Sequence, residues 1–195
     1  SVENTIITYD DHANINKMGT FRTYTVKVEG NSITFKNLTI ENNAARLGQA
    51  VALHTEGDKL VFINCRILGN QDTIYTGAAG TRLYFVDCYI DGTTDFIFGP
   101  STALFENCEI RSKTNSYITA ASTPKDIAVG YVFKNCRLTA DPGVDKVYLG
   151  RPWRPYAATV FINCEMSKHI RPEGWHNWGN VENENHFLSL AYNNT

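Results

Sequence analysis

Two aspartates, Asp72 and Asp95, follow two copies of one short pattern at the same distance. The copies share Phe, Asn or Asp, Cys and Ile, and each aspartate comes seven positions after its cysteine, Cys65 or Cys88. If the copies are successive turns of a stacked structure, equal offsets place one carboxylate above the other. Two carboxylates that close cannot both ionise easily, so one is held protonated and the other charged. The spacing therefore predicts an acid and a base in one site.

The segments around these aspartates, GNQDTIY and GTTDFIFG, contain further candidate residues. Taken alone, an aspartate in such a setting is ordinarily a turn former. Both aspartates are followed by apolar or aromatic residues, however, which favours a position at the start of a strand. A carboxylate pair flanked by aromatics is costly unless it has a function. The same segments supply Gln71, Tyr75 and Phe98, which we add to the candidate site.

Arg151 is a candidate partner for one of the carboxylates. It stands in VYLGRPWRPY, where Pro152 and Pro155 restrict the backbone and hold Arg151 and Trp153 in definite places. An arginine that forms bidentate hydrogen bonds with a carboxylate would explain how one aspartate stays ionised. The alternatives are a surface salt bridge for Arg151 and an exposed cap on the core for Trp153.

Gln49 stands at the entry of AVALH, which we interpret as a strand over Ala50–His54. By itself this glutamine is a solvent-facing turn residue. It precedes the layer that carries Asp72, however, so it could project onto the same face of a coil.

Six copies of the pattern predict a coiled solenoid. Their phenylalanines stand at positions 35, 62, 85, 105, 133 and 161, separated by 27, 23, 20, 28 and 28 residues, so the core is constant and the connections vary. The position after each phenylalanine is charged in half of the copies, which directs the phenylalanine inward. The Leu or Cys that stands three positions after each phenylalanine also favours burial. The phenylalanine and this residue can both point inward if the chain bends at the Asn or Asp between them, in a left-handed conformation. This predicts bends at Asn37, Asn64, Asp87, Asn107, Asn135 and Asn163.

The cysteines and histidines do not predict a metal site. All five cysteines occupy the same repeat position, and the sequence has no CxxC pair and no HxxxH spacing. A buried ladder of free thiols explains the series, although disulfides between adjacent layers are an alternative. We expect neither a metal nor an organic cofactor.

Composition agrees with a single all-β domain over residues 1–195. The chain is 43% hydrophobic and 19% charged, which is sufficient for one core. No apolar run is long enough to span a bilayer, and no signal peptide is visible. A formal net charge of -2 argues against a general nucleic-acid binder. The polar stretch at 113–130 is interpreted as scaffold with a surface loop.

The segments GQAVALH, GNQDTIY, GTTDFIFG and YLGRPW, in this order and spacing, strongly resemble the signature segments of pectin methylesterases. The resemblance runs from about Asn4 to the end of the chain and implies a right-handed parallel β-helix. Because the family domain usually begins upstream with extra turns, we expect this chain to be the central and C-terminal part, without its N-terminal turns. The resemblance also implies pectin as the substrate, secretion to the location of that substrate, and a monomer without nucleic-acid or membrane partners.

The resemblance implies a role for each candidate residue. Asp95 matches the family's nucleophile, Asp72 its general acid and base, Gln49 and Gln71 its anion hole, and Arg151 the partner of the nucleophile. Trp153, Phe98 and Tyr75 are expected to bind substrate. The implied reaction is hydrolysis of galacturonate methyl esters with release of methanol. The alternatives are a related β-helix polysaccharide enzyme such as a retaining glycosidase, which also uses two carboxylates, and a catalytically silent pectin-binding fragment.

Overall fold

The computed structural model describes residues 2–195 and consists of short strands joined by loops. The strands are β1 (Ile6–Tyr9), β2 (Val26–Val28), β3 (Thr34–Lys36), β4 (Thr39–Asn42), β5 (Leu53–Thr55), β6 (Leu60–Ile63), β7 (Arg66–Leu68), β8 (Ile74–Thr76), β9 (Arg82–Val86), β10 (Tyr89–Gly92), β11 (Ile97–Gly99), β12 (Thr102–Glu106), β13 (Glu109–Ser112), β14 (Tyr117–Ala121), β15 (Tyr131–Lys134), β16 (Arg137–Ala140), β17 (Tyr148–Gly150), β18 (Ala158–Ile162), β19 (Glu165–Met166) and β20 (Leu188–Tyr192). Three short 3-10 helices cover Ile15–Lys17, Thr20–Arg22 and Val181–Asn185.

The strands form three parallel sheets, and each coil except the last contributes one strand to each sheet. Sheet 1 has the order β1-β4-β7-β10-β13-β16-β19, sheet 2 the order β17-β14-β11-β8-β5-β2, and sheet 3 the order β20-β18-β15-β12-β9-β6-β3. Neighbouring strands differ by three in chain order along most of each sheet, which is the pattern of a chain that winds around one axis. The predicted parallel β-helix is therefore confirmed.

Equivalent residues of the six copies lie in register across the coils. In sheet 3, Phe62 pairs with Phe85, Phe85 with Phe105, and Phe105 with Phe133. The rings stack at centroid distances between 4.4 and 5.1 Å from one end of the series to the other. Phe105 is fully buried at the middle of this stack. The repeated phenylalanine thus sets the register of the whole coil, because each ring packs on the ring of the coil below.

The bends between sheets 3 and 1 occur at the predicted Asn and Asp residues. All six have left-handed φ angles, between 47° and 58°: Asn37, Asn64, Asp87, Asn107, Asn135 and Asn163. The side chains of Asn64 and Asn37 are hydrogen-bonded across two coils, with Nδ2 of Asn64 2.8 Å from Oδ1 of Asn37. Asparagine and aspartate tolerate this backbone conformation, so the predicted bends are confirmed.

The cysteines follow directly after these bends and point inward, as predicted. All five are buried and free: Cys65, Cys88, Cys108, Cys136 and Cys164. Sγ of Cys108 lies 3.5 Å from the carbonyl oxygen of Phe85 in the preceding coil. The thiols therefore pack as small apolar groups, and all except Cys65 donate a weak hydrogen bond to the preceding coil.

Two predictions about individual segments need correction. The stretch at 113–130 is not only a surface loop, because it contains β14, whose residues Ile118 to Ala121 are buried in sheet 2. Its short apolar run lies within a long polar segment and lacks the repeat pattern, which is why the strand was missed. The strand expected over Ala50–His54 begins later, at Leu53, although Ala50 to Ala52 are also buried. In residues 2–195, no helix has the length and hydropathy to cross a bilayer.

Candidate active site

Seven of the eight predicted site residues lie in one cleft above sheet 2. The cleft has a volume of about 240 Å³. The predicted residues that line it are Gln49, Gln71, Asp72, Asp95, Phe98, Arg151 and Trp153. Residues 104 positions apart in the chain, from Gln49 to Trp153, are therefore brought together by the winding of the coil.

The two aspartates occupy equivalent places in adjacent coils. Asp72 lies two residues before Ile74 and Asp95 two residues before Ile97, and these isoleucines are register partners in β8 and β11. The amide of Asp72 donates to the carbonyl oxygen of Thr94 at 3.0 Å, which ties the two turns together. Equal offsets in sequence thus become neighbouring positions in space.

Both aspartates have left-handed backbones, with φ of 68° at Asp72 and 49° at Asp95. Most residue types avoid this region, and aspartate tolerates it. The turn before Asp95 is also tight, because a Cβ on Gly92 would lie 2.2 Å from the Cβ of the buried Phe96. The turn therefore cannot accept a side chain at residue 92 without moving Asp95.

Arg151 forms a two-pronged ion pair with Asp95. Its Nε donates to Oδ1 at 2.9 Å and its Nη2 donates to Oδ2 at 2.6 Å. The side chains are 19% and 9% exposed, respectively, so the pair is largely removed from water. Charge-assisted, bidentate bonds of this type fix orientation as well as charge. One aspartate of the two thus has a dedicated cation.

The surroundings of the two carboxyl groups act differently on their pKa values. Burial raises the pKa of Asp72 well above its usual range, the nearby Asp95 adds to this rise, and Arg151 opposes it. Burial also raises the pKa of Asp95, but there the hydrogen bonds and charge of Arg151 act in the opposite direction. Because Asp72 has no such hydrogen-bonded cation among residues 2–195, it is the carboxyl group that keeps a proton while Asp95 ionises. The site thus contains one acid and one base.

Backbone hydrogen bonds hold the two glutamines at the same wall of the cleft. The amide of Ala50, next to Gln49, donates to the carbonyl oxygen of Gln71 at 3.0 Å. The carbonyl of Gln49 accepts from the amide of Ala13 at 2.8 Å. Neighbouring coils and an N-terminal loop thus fix the backbone at Gln49, and both glutamines line the cleft together with the two aspartates.

Aromatic rings also line the cleft. The ring of Phe98 lies 5.8 Å from that of Trp153, in an edge-on arrangement. Tyr75 does not line the cleft itself, but it stacks on Phe98 at 4.7 Å and contacts Phe21 at 4.8 Å. Tyr75 therefore extends the aromatic surface beyond the cleft, one coil away from Phe98.

Four residues that line the cleft were not among the predicted site residues. They are Thr20, Phe21, Ala120 and Trp178. Ala120 is the register partner of Phe98, but it lies in β14, which carries no copy of the repeat, so the sequence pattern does not identify it. Phe21 and Trp178 come from polar loops that carry no repeat, so no sequence pattern identifies them. Within residues 2–195, no three His, Cys, Asp or Glu side chains are arranged to hold a metal ion.

The fold and the site together define a parallel β-helix protein with a buried carboxylate pair in a cleft walled by amides and aromatics. A family model described as Pectinesterase matches residues 1–195. The chain belongs to the pectinesterase family.

Individual relatives agree with this assignment. Pectinesterase 31 of Arabidopsis thaliana is 43% identical over 168 residues, which are 85% of this chain and 52% of the relative. The pectin methylesterase from carrot superposes with a TM-score of 0.92 at 31% identity, covering 98% of this chain and 63% of that structure. A pectin methylesterase in complex with a hexasaccharide gives a TM-score of 0.86 at 28% identity, covering 98% and 71%. These likenesses confirm the right-handed form of the β-helix. The chain spans about half the length of Pectinesterase 31.

Proposed function

We propose that this chain hydrolyses methyl esters of galacturonate in pectin and releases methanol. The observation that carries the proposal is the ion pair of Asp95 with Arg151 in one cleft with Asp72, a carboxyl group whose pKa is raised well above its usual range by burial. Membership of the pectinesterase family supports the same substrate class. A hexasaccharide is bound in the complex of one structural relative, which supports a polymeric sugar ligand.

In the proposed reaction, ionised Asp95 attacks the ester carbonyl carbon. The new bond makes a tetrahedral intermediate whose negative oxygen accepts hydrogen bonds from the amides of Gln49 and Gln71. In comparable sites one such donor contributes about 3–4 kcal/mol to the transition state. Collapse of the intermediate breaks the bond to the methoxy group, which leaves as methanol with the proton of Asp72. Asp95 is then joined to the sugar as an acyl enzyme.

Water completes the cycle through the same groups. Asp72, now a carboxylate, takes a proton from the water that attacks the acyl carbon. The bond to Asp95 breaks, which leaves ionised Asp95, protonated Asp72 and a free galacturonic acid group. This acid group then releases its proton to the solvent and becomes the galacturonate carboxylate. Before the attack Arg151 holds both oxygens of Asp95, so the nucleophile is charged and correctly oriented. Trp153, Phe98 and Tyr75 provide a surface on which the sugar rings stack.

We further propose that residues 1–195 act as one β-helix domain, and that the protein is a secreted monomer. The three sheets run through the chain from β1 to β20, which supports one domain. Secretion follows from the location of pectin outside the cell.

Asparagine in place of Asp95 tests the nucleophile. Asp95→Asn keeps the shape of the side chain and removes its charge, so methanol release from methylated pectin is expected to fall by at least about 10³-fold. The matched control is Asp87→Asn, because asparagine stands at the equivalent bend of the other five copies. The control is expected to keep full activity.

The products distinguish the proposed reaction from its alternatives. Methanol without new reducing ends supports the esterase, whereas new reducing ends from the wild-type chain identify a glycosidase. Binding of pectin without either product identifies a silent binding fragment. Undiminished methanol release by Asp95→Asn would exclude this residue as the nucleophile.

A further inference from the structure

The guanidinium of Arg151 is held between two aromatic rings as well as by Asp95. Its Cζ lies 3.9 Å from the ring centre of Tyr117 and 3.7 Å from that of Trp178. Both rings therefore lie against the guanidinium and help to shield it from water, while its Nε and Nη2 donate hydrogen bonds to Asp95. Contacts of this kind are attractive and become stronger when water is excluded.

Trp178 is not held in this position by burial. Its side chain lies at the surface, with 39% of the residue exposed, and its φ of 61° is left-handed. What orients it is a local hydrogen bond, because its amide donates to Nδ1 of His176 at 3.0 Å. The next amide, of Gly179, donates in the same way to Oδ1 of Asn177 at 2.8 Å. A side-chain acceptor two residues earlier thus shapes each step of this turn.

His176 also contacts the other half of the arrangement. Its ring packs edge-on against Tyr117 at 5.4 Å and against Tyr148 at 5.3 Å. Its own amide donates to the carbonyl oxygen of Gly150, the residue before Arg151, at 3.1 Å. One histidine therefore connects both rings that cover Arg151 to the strand end that carries this arginine. Unlike Trp178, His176 does not itself line the cleft.

We propose that His176 is a positioning residue for Arg151, acting through Trp178 and Tyr117. These three residues form what we call the arginine clamp. The clamp keeps the guanidinium in the plane that bonds both oxygens of Asp95, so the nucleophile stays charged and oriented. This inference rests on the proposed function, since it concerns the nucleophile of that reaction.

Two substitutions of His176 test the hydrogen bond. His176→Leu introduces an apolar side chain that fills part of the space of the ring and removes the acceptor for the amide of Trp178. His176→Asn restores an acceptor at the same place, because asparagine bonds the amide two residues on in turns of this kind. The matched control is His186→Leu, which makes the same change at a histidine that contacts Tyr156 and lies outside the clamp. Thermal melting and circular dichroism verify that each variant is folded.

The expected result is a selective defect in His176→Leu. Its kcat for methanol release falls by about 3- to 30-fold, as expected for losing a cation–aromatic contact, and KM changes little. The acidic limb of its pH profile moves to higher pH, because a loosened Arg151 lowers the pKa of Asp95 less. His176→Asn recovers most of the rate, and His186→Leu behaves like the wild type.

A second measurement does not require activity. Carbon-13 NMR titration of the Asp95 carboxyl, assigned with Asp95→Asn, follows the pKa of this group directly. We expect a higher value in His176→Leu than in the wild type and a restored value in His176→Asn. An unchanged Asp95 titration in His176→Leu, equal defects in both His176 variants, or an effect on KM alone would overturn the positioning role. Absence of methanol release by the wild type would overturn the proposed function instead, and the NMR comparison would still decide on the clamp.

Discussion

Removal of the Arg151 charge is the most direct test of how the site separates its two carboxyl groups. Arg151→Gln deletes the cation and leaves a polar side chain in its place. The variant loses two charge-assisted hydrogen bonds, at 2.9 and 2.6 Å, from a pair that is mostly shielded from water. Asp95 remains buried, so nothing then opposes the rise of its pKa. The nucleophile is consequently protonated over a wider range of pH.

The size of the effect follows from this geometry. One hydrogen bond to a charged group contributes about 1.5–3 kcal/mol, so the loss of two such bonds is expected to lower kcat/KM by at least about 10- to 150-fold. Asp95 must be ionised to act as the nucleophile. Because its pKa rises further in the variant, the acidic limb of the pH profile of kcat/KM moves to higher pH. The loss is therefore largest on the acidic side and smaller once the pH is high enough to ionise Asp95 again.

The assay is methanol release from methylated pectin, measured as kcat/KM across acidic to alkaline pH. Arg111→Gln serves as the control, because Arg111 also pairs with an aspartate, Asp141, with Nε 2.8 Å from Oδ1, but outside the cleft. The control should keep the wild-type profile. An acidic limb that does not move in Arg151→Gln, or a loss that is equal at all pH values in a folded protein, would refute the electrostatic reasoning.

Three further predictions concern stability. Burial favours the protonated form of Asp72, so its pKa in the folded state lies above the unfolded value, and the folded state loses stability as the pH rises above the unfolded value. Asp72→Asn should therefore raise Tm at neutral pH by about 2 °C or more and leave Tm unchanged at strongly acidic pH. An equal rise of Tm at both pH values would contradict this explanation. Phe105→Ala removes a fully buried ring from the middle of the phenylalanine stack, and it should lower the free energy of unfolding, measured with urea, by about 3–5 kcal/mol. Phe35→Ala removes a half-buried ring at the end of the stack and should lower the free energy of unfolding by less. At the left-handed Asn107, with φ of 54°, Asn107→Ala should lower the free energy of unfolding by about 1 kcal/mol and Asn107→Gly should not; equal losses would rule out backbone strain.

The β-helix could be predicted from the sequence because its determinants are local and repeated. Each copy carries its own inward phenylalanine, its own bend residue and its own small buried side chain. Stacking equal copies satisfies all of them at once, so the register between Phe85 and Phe105 follows from the pattern alone. The strand β14 was missed because Tyr117–Ala121 lies in a connection where this pattern is interrupted.

The carboxylate pair could be predicted for the same reason. Asp72 and Asp95 stand at one offset from the repeat, so any structure that stacks Cys65 on Cys88 also stacks the aspartates. Residue type and spacing were sufficient to propose that one is an acid and the other a base. The identity of each depends on Arg151, which reaches Asp95 from 56 positions away.

Sequence by itself determined that this chain coils, which side chains face inward, and that two aspartates lie in adjacent coils. The family resemblance implied that Asp95 receives the cation, and the tertiary structure shows this pairing directly. Only the tertiary structure decided that Phe21 and Trp178 complete the cleft and that His176 connects the rings around Arg151. The physical reason is that a repeat encodes contacts between equivalent positions, where each copy carries the same information. The loops do not repeat, and their conformation is set by contacts with distant parts of the chain that no local pattern records.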